Sequence, residues 1–169
     1  MRKGGGKQKG AQFERDVCRE LSLWVSHGKQ EDVYWRSAMS GGRSTVAALK
    51  GKRLAAQSGD LSCVHEVGYV FASKFIVECK FYADLNFLGL LTGKGKLMEF
   101  WGELLVQAAA YSKLPMLIAK QNRMLTMVCL CNIGSRELNL EKRALLIAPQ
   151  RSLRIIPLHE FTQYATRPT

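Results

Sequence analysis

Phe75-Ile76-Val77-Glu78-Cys79-Lys80-Phe81 is an apolar, β-branched run that carries one carboxylate and one ammonium two residues apart. Such a run reads as a buried strand with an active edge. Side chains alternate across a strand, so Glu78 and Lys80 share one face while Val77, Cys79 and Phe81 share the other. Two residues of rise put the Glu78 and Lys80 Cα atoms about 7 Å apart, a spacing from which both could reach one phosphate-sized volume without simply neutralising each other. Upstream, Asp60-Leu61-Ser62-Cys63-Val64 is a second strand-like run, and His65-Glu66-Val67-Gly68 is expected to turn the chain back as a hairpin toward Glu78. Two carboxylates and a lysine would then meet at one point. A cross-strand salt bridge on an exposed face would leave the same three residues with no chemistry to perform.

The chain of 169 residues, 47% of them hydrophobic, is enough for one domain with a substantial core and too apolar for disorder. No run reaches membrane-spanning length and no apolar segment follows the basic N-terminus, so a soluble, intracellular protein is expected. Lys and Arg outnumber Asp and Glu by 25 to 14, a net charge of +11. That excess favours polyanionic partners, nucleic acid first, without separating an enzyme from a passive binder. The five cysteines include no CxxC pair, and the three histidines are scattered, which argues against zinc or a disulfide framework.

Residues 1–10 hold Arg2, Lys3, Lys7 and Lys9, no acid and four glycines, and read as a flexible basic tail able to touch phosphate. Residues 11–169 are then the single domain. Ala11 to Ser26 has helical periodicity, with Phe13, Val17, Cys18, Leu21, Trp24 and Val25 inside an arc of about 140°. Glu14 falls within that arc, so it either neutralises a buried cation or faces a functional site at the open edge of the core. Tyr34-Trp35-Arg36 leads into a small-residue loop bearing Ser40, Gly41, Gly42 and Arg43, which suits close approach to phosphates. Residues 84–96 form a long connection whose Lys94 and Lys96 could lie beside a nucleic-acid path. Leu97 to Ser112 is a second amphipathic helix with Gln107 at the edge of its apolar stripe, and 113–120 reads as a turn and a core strand. Further strands are expected at 125–131, 144–148 and 153–157, with a closing helix at 159–165. The fold class is α/β, a mixed central sheet flanked by the two amphipathic helices.

Ser58-Gly59-Asp60, a spacer, then Glu78-Cys79-Lys80 resembles the PD-(D/E)xK nuclease superfamily, with Gly59 standing where the family's namesake proline would be. Glu14 on the first helix and the segment from Gln107-Ala108 through Pro115 to Lys120 fit the same resemblance. The order Arg36, Ser40, Gly41, Gly42 is similar to that of archaeal-type Holliday junction resolvases, a branch also found in phages. The resemblance implies a restriction-endonuclease-like core and hydrolysis of DNA with Mg²⁺, for which Mn²⁺ would substitute. It implies Asp60, Glu78 and the Cys79 carbonyl as metal ligands, with Glu14 acting through water or a second ion. Lys80 would orient or help deprotonate the attacking water or stabilise developing charge. Gln107 would lie near the scissile phosphate, and Arg36 and Ser40 would hold its neighbour. The implied partner is a four-way or otherwise branched DNA cut by a homodimer. A restriction-like or nicking nuclease, and a basic binding module without catalysis, are the alternatives.

Overall fold

The computed structural model describes residues 5–37, 59–87, 89–144, 146–148 and 153–168. Its elements run α1 (Gly5–Val25), β1 (Tyr34–Arg36), β2 (Leu61–Cys63), a 3₁₀ turn (Glu66–Gly68), α2 (Tyr69–Lys74), β3 (Phe75–Tyr82), α3 (Gly89–Thr92), α4 (Lys96–Tyr111), β4 (Leu114–Gln121), β5 (Met127–Cys131), α5 (Asn132–Glu137), β6 (Leu146–Ala148), β7 (Leu153–Pro157) and α6 (Leu158–Tyr164).

The quoted stretch is β3, and it forms one edge of a five-stranded mixed sheet in the order β3-β4-β5-β7-β6. β3 pairs in parallel with β4, Phe75 opposite Leu114 and Tyr82 opposite Gln121. A parallel pair needs a crossover, which α4 supplies. The β4–β5, β5–β7 and β6–β7 pairs are all antiparallel.

Strand alternation divides the core in two. Val77, Cys79, Met116, Ile118 and Val128 face α1, whose Phe13, Val17, Leu21 and Trp24 are buried against them. Ile76, Leu117, Ala119 and Cys129 face the other way, under Leu97, Trp101 and Leu104 of α4. Each of the Val, Leu, Ile, Met and Phe side chains among them, fully buried, contributes about 1.5–3 kcal/mol, so the two helices clamp the sheet from both sides. The expected α/β architecture is therefore what the chain forms.

Helix α1 begins at Gly5, six residues before the expected start, so residues 5–10 of the supposed flexible tail are helical. The added Cβ of a residue at Gly6 or Gly10 would meet nothing within 4 Å, and glycine costs about 1 kcal/mol in such a place. Tertiary contacts of Lys9, described below, offset that propensity.

The expected hairpin between Asp60 and Glu78 does not form. β2 pairs antiparallel with β1, Tyr34 opposite Cys63 and Arg36 opposite Leu61. The chain then coils through the 3₁₀ turn and α2 before entering β3. Phe71 explains the coil: helical placement buries it against Trp24 and Phe75, with ring centroids 5.3 and 5.0 Å away. The two-stranded sheet touches the larger one through a parallel bridge between Gly59 and Val77. Helix α5 also lies where no element was expected, and β5 starts at Met127 rather than 125.

Candidate active site

Gly59 adopts φ +84°, and a Cβ there would stand 2.4 Å from the Val77 carbonyl oxygen. Only glycine fits this close approach in a left-handed conformation. Proline, fixed near φ −65°, is excluded, which accounts for the departure from the superfamily's namesake motif.

The tight passage at Gly59 delivers Asp60 to the edge of β3 that β4 leaves uncovered. The Asp60 main-chain N–H donates to the Val77 carbonyl at 2.8 Å, and its carbonyl accepts the Ser37 N–H at 2.8 Å. Its side-chain Oδ2 accepts the Cys79 N–H, also at 2.8 Å. Asp60 is only 4% exposed. Burial, then repulsion from Glu78, pushes its carboxyl up to about 7, with Glu14 adding to the rise and the Cys79 N–H and Lys80 opposing it.

Glu78 and Lys80 lie on one face of β3, as the alternation requires. Their head groups do not stay apart, however: Lys80 Nζ donates to Glu78 Oε1 at 2.5 Å, and both side chains are largely buried. The Cα spacing of a strand does not restrain a lysine long enough to fold back. Burial works against the Lys80 charge, but Glu78, by its charge and its hydrogen bond, and Asp60 outweigh it and hold the ammonium above its usual pKa. The Phe100 ring of α4 lies 5.1 Å from Nζ.

Glu14 makes an ion pair with Arg36 of β1. The Glu14 carboxylate thus has a cationic partner, and its charge adds to the rise at Asp60. The Glu14 side chain is 15% exposed and that of Arg36 40%, so the cation sits at the rim of the core.

Among the other anticipated residues, Lys9 donates to Asn122 Oδ1 at 2.6 Å, and its ammonium lies 4.1 Å from the Phe81 ring centroid. Lys120 approaches the same ring at 5.5 Å. Lys96 lies 4.8 Å from the Tyr82 ring, while Lys7 and Lys94 are exposed. Gln107 is half-buried on α4, seven positions from Phe100 and so about 10 Å further along the helix axis. Arg2, Lys3, Ser40 and Arg43, like Ser58, Gly41 and Gly42, lie outside the described residues. Lys120, Asn122 and Phe100 were not anticipated. The alternation of Lys80-Phe81-Tyr82 with cations arriving from other elements is visible only once β3, β4 and α1 are assembled.

Asp60 and Glu78 offer hard carboxylate oxygens able to hold a divalent cation, and the Cys79 carbonyl lies in the same strand. Among the described residues no three His, Cys, Asp or Glu side chains form a cluster able to hold a metal unaided. Two hard carboxylates are the kind of donor a divalent cation takes when it keeps water in its shell. The mutual repulsion that raises Asp60 is the disfavour a cation would relieve.

The sequence model of the family described as "Phage putative PDDEXK endonuclease" matches residues 5–151. That span runs from the first residue of α1 past β6 and holds each member of the Asp60, Glu78 and Lys80 constellation. No curated protein and no solved structure matches the chain.

Proposed function

The chain belongs to the phage PDDEXK endonuclease family, and from that premise we propose that it is a metal-dependent DNA endonuclease acting on branched DNA, a four-way junction first, as a homodimer. The observation that carries the reading is the convergence of Asp60, Glu78 and Lys80 on the open edge of β3, beside the Glu14–Arg36 pair. A divalent ion bound there, Mg²⁺ with Mn²⁺ as a substitute, would neutralise phosphoryl oxygens and lower the pKa of a bound water.

The residues divide the remaining work. Asp60 is locked by three hydrogen bonds, so its carboxylate is preorganised before any ligand arrives. Glu78 brings a second carboxylate from the neighbouring strand position, with the Cys79 carbonyl between Glu78 and Lys80. Lys80, held protonated, serves as an electrostatic stabiliser of the charge that develops on the phosphate, and its raised pKa speaks against a role as base in this state. Arg36 offers a planar fork to an adjacent phosphate and is steadied by Glu14. Ser40 and Gln107 are proposed to hold flanking phosphates on the resemblance alone. The two-fold symmetry of a four-way junction cut on two strands supports the dimer.

One assay tests the proposal. Four-way junction, duplex, flap and single-stranded DNA are compared side by side with Mg²⁺ and with a chelator, and the mass in solution is measured by sedimentation. Mg²⁺-dependent cutting strongest on the junction is expected. Salt-dependent binding without cutting would leave a binding module, and equal cutting of plain duplex would leave a restriction-like or nicking enzyme.

A further inference from the structure

The turn between β4 and β5 leaves the sheet at the end of β3 that carries Lys80. Its base is fixed three ways: the Asn122 N–H donates to the Tyr82 carbonyl at 3.3 Å, Lys9 reaches Asn122 Oδ1 from α1, and the Met124 N–H closes on the Gln121 carbonyl at 3.1 Å. Arg123 takes a left-handed φ of +63° within it. On this anchored turn Met124 is 44% exposed and Leu125 59% exposed. Burying two such side chains would stabilise the fold, yet the turn presents them to solvent.

Their neighbours say what they face. Lys9, bonded to Asn122 of the turn, lies with Lys120 against Phe81, and Arg123 adjoins Met124 in the chain. An apolar protein partner would have to desolvate those cations. DNA instead satisfies both parts of the surface, since phosphates meet the cations and the flat base faces meet the apolar tip. We propose that Met124 and Leu125 form a wedge that enters the DNA between bases next to the scissile phosphate and favours substrates already unstacked there, as at a branch. Lys80 and Tyr82, whose carbonyl anchors the turn, are two residues of strand apart, about 7 Å, so the turn starts close to Lys80. The proposal rests on the nuclease reading above.

The test uses the full-length protein and junction or duplex DNA carrying 2-aminopurine at successive positions around the cut, with Ca²⁺ in place of Mg²⁺ and anisotropy reporting binding. Wild type should raise the fluorescence at positions beside the cut. In the double variant Met124→Ser with Leu125→Ser that rise should be lost. With Mg²⁺, its cleavage of fully paired DNA should fall about tenfold more than its cleavage of the same sequence opened by a bubble. Binding without a fluorescence rise at any position, or equal losses on both substrates, overturns the wedge while Mg²⁺-dependent cutting by wild type upholds the nuclease reading. Failure to bind or cut any of these DNAs overturns both.

Discussion

The Asp60 carboxylate accepts the main-chain N–H of Cys79 at 2.8 Å, which ties the acid on one segment to the strand that carries Glu78 and Lys80. A neutral isostere keeps that geometry and loses the charge. Asp60→Asn, and likewise Glu78→Gln, should lower Mg²⁺-dependent cleavage by about a thousandfold or more, since a positioned metal supplies several kcal/mol of charge stabilisation. Junction affinity in Ca²⁺ should change little. Full activity in either variant would remove that residue from the site.

Asp60 also makes the site sensitive to pH. Its folded pKa, about 7, lies above the value in the unfolded chain, near 3.9, because of burial first and of Glu78 and Glu14 next. The stability linked to this group is therefore fully present below the unfolded value and is lost as pH rises through about 7. A divalent cation needs the carboxylate, so the rise in melting temperature on adding Ca²⁺ should be larger at pH about 8 than at about 5.5. Asp60→Asn should flatten that difference. Equal Ca²⁺ shifts at both pH values in wild type would contradict the ligand assignment.

Gly59→Pro would write the superfamily's usual dipeptide into this chain, and it should be harmful. The φ of +84° and the 2.4 Å approach to the Val77 carbonyl both exclude proline. A cost of at least about 3 kcal/mol is expected, or a melting temperature lower by about 10 °C, together with loss of cleavage. A stable, active Gly59→Pro protein would show that the passage at 59 is not as described.

Glu14→Gln separates positioning from packing. Its partner Arg36 is 40% exposed, so losing the pair should cost no more than about 1 kcal/mol. Cleavage should drop. Because the Glu14 charge helps raise Asp60, the acid limb of the pH–rate profile should move to lower pH. A melting temperature lower by many degrees, with an unshifted profile, would make Glu14 a structural partner only.

The cations around Phe81 make a prediction about salt. Lys9→Ala should flatten the slope of log affinity against log salt by about one, and Lys9→Arg should restore it. An unchanged slope would mean that Lys9 serves only to hold Asn122.

What the sequence disclosed tracks how local each feature is. The arc of Phe13, Val17, Leu21 and Trp24 and the stripe of α4 appear in the structure within a residue or two except at Gly5–Gly10, where distant contacts override glycine's poor propensity. The E-x-K alternation of β3 was likewise readable, because a strand fixes side-chain direction by parity alone. The helix Tyr69–Lys74 was not, since its aromatic and β-branched residues carry strand propensity and coil only to place Phe71 beneath Trp24. The role of Gly59 depends on where the Val77 carbonyl stands, which no local pattern encodes. Nor does residue spacing record that Lys80 folds back on Glu78, or that Lys9 and Asn122, 113 positions apart, touch.

Phe81 has a consequence of its own. A carboxylate placed between Lys9 and Lys120 would gather them and cancel them, whereas an aromatic ring attracts both through its quadrupole and leaves each charge whole. Among the described residues neither ammonium makes an ion pair. The ring thereby acts as a neutral counterweight: the fold holds two cations against one aromatic ring without consuming either in an ion pair. Replacing it with leucine would keep the bulk and let the lysines drift apart.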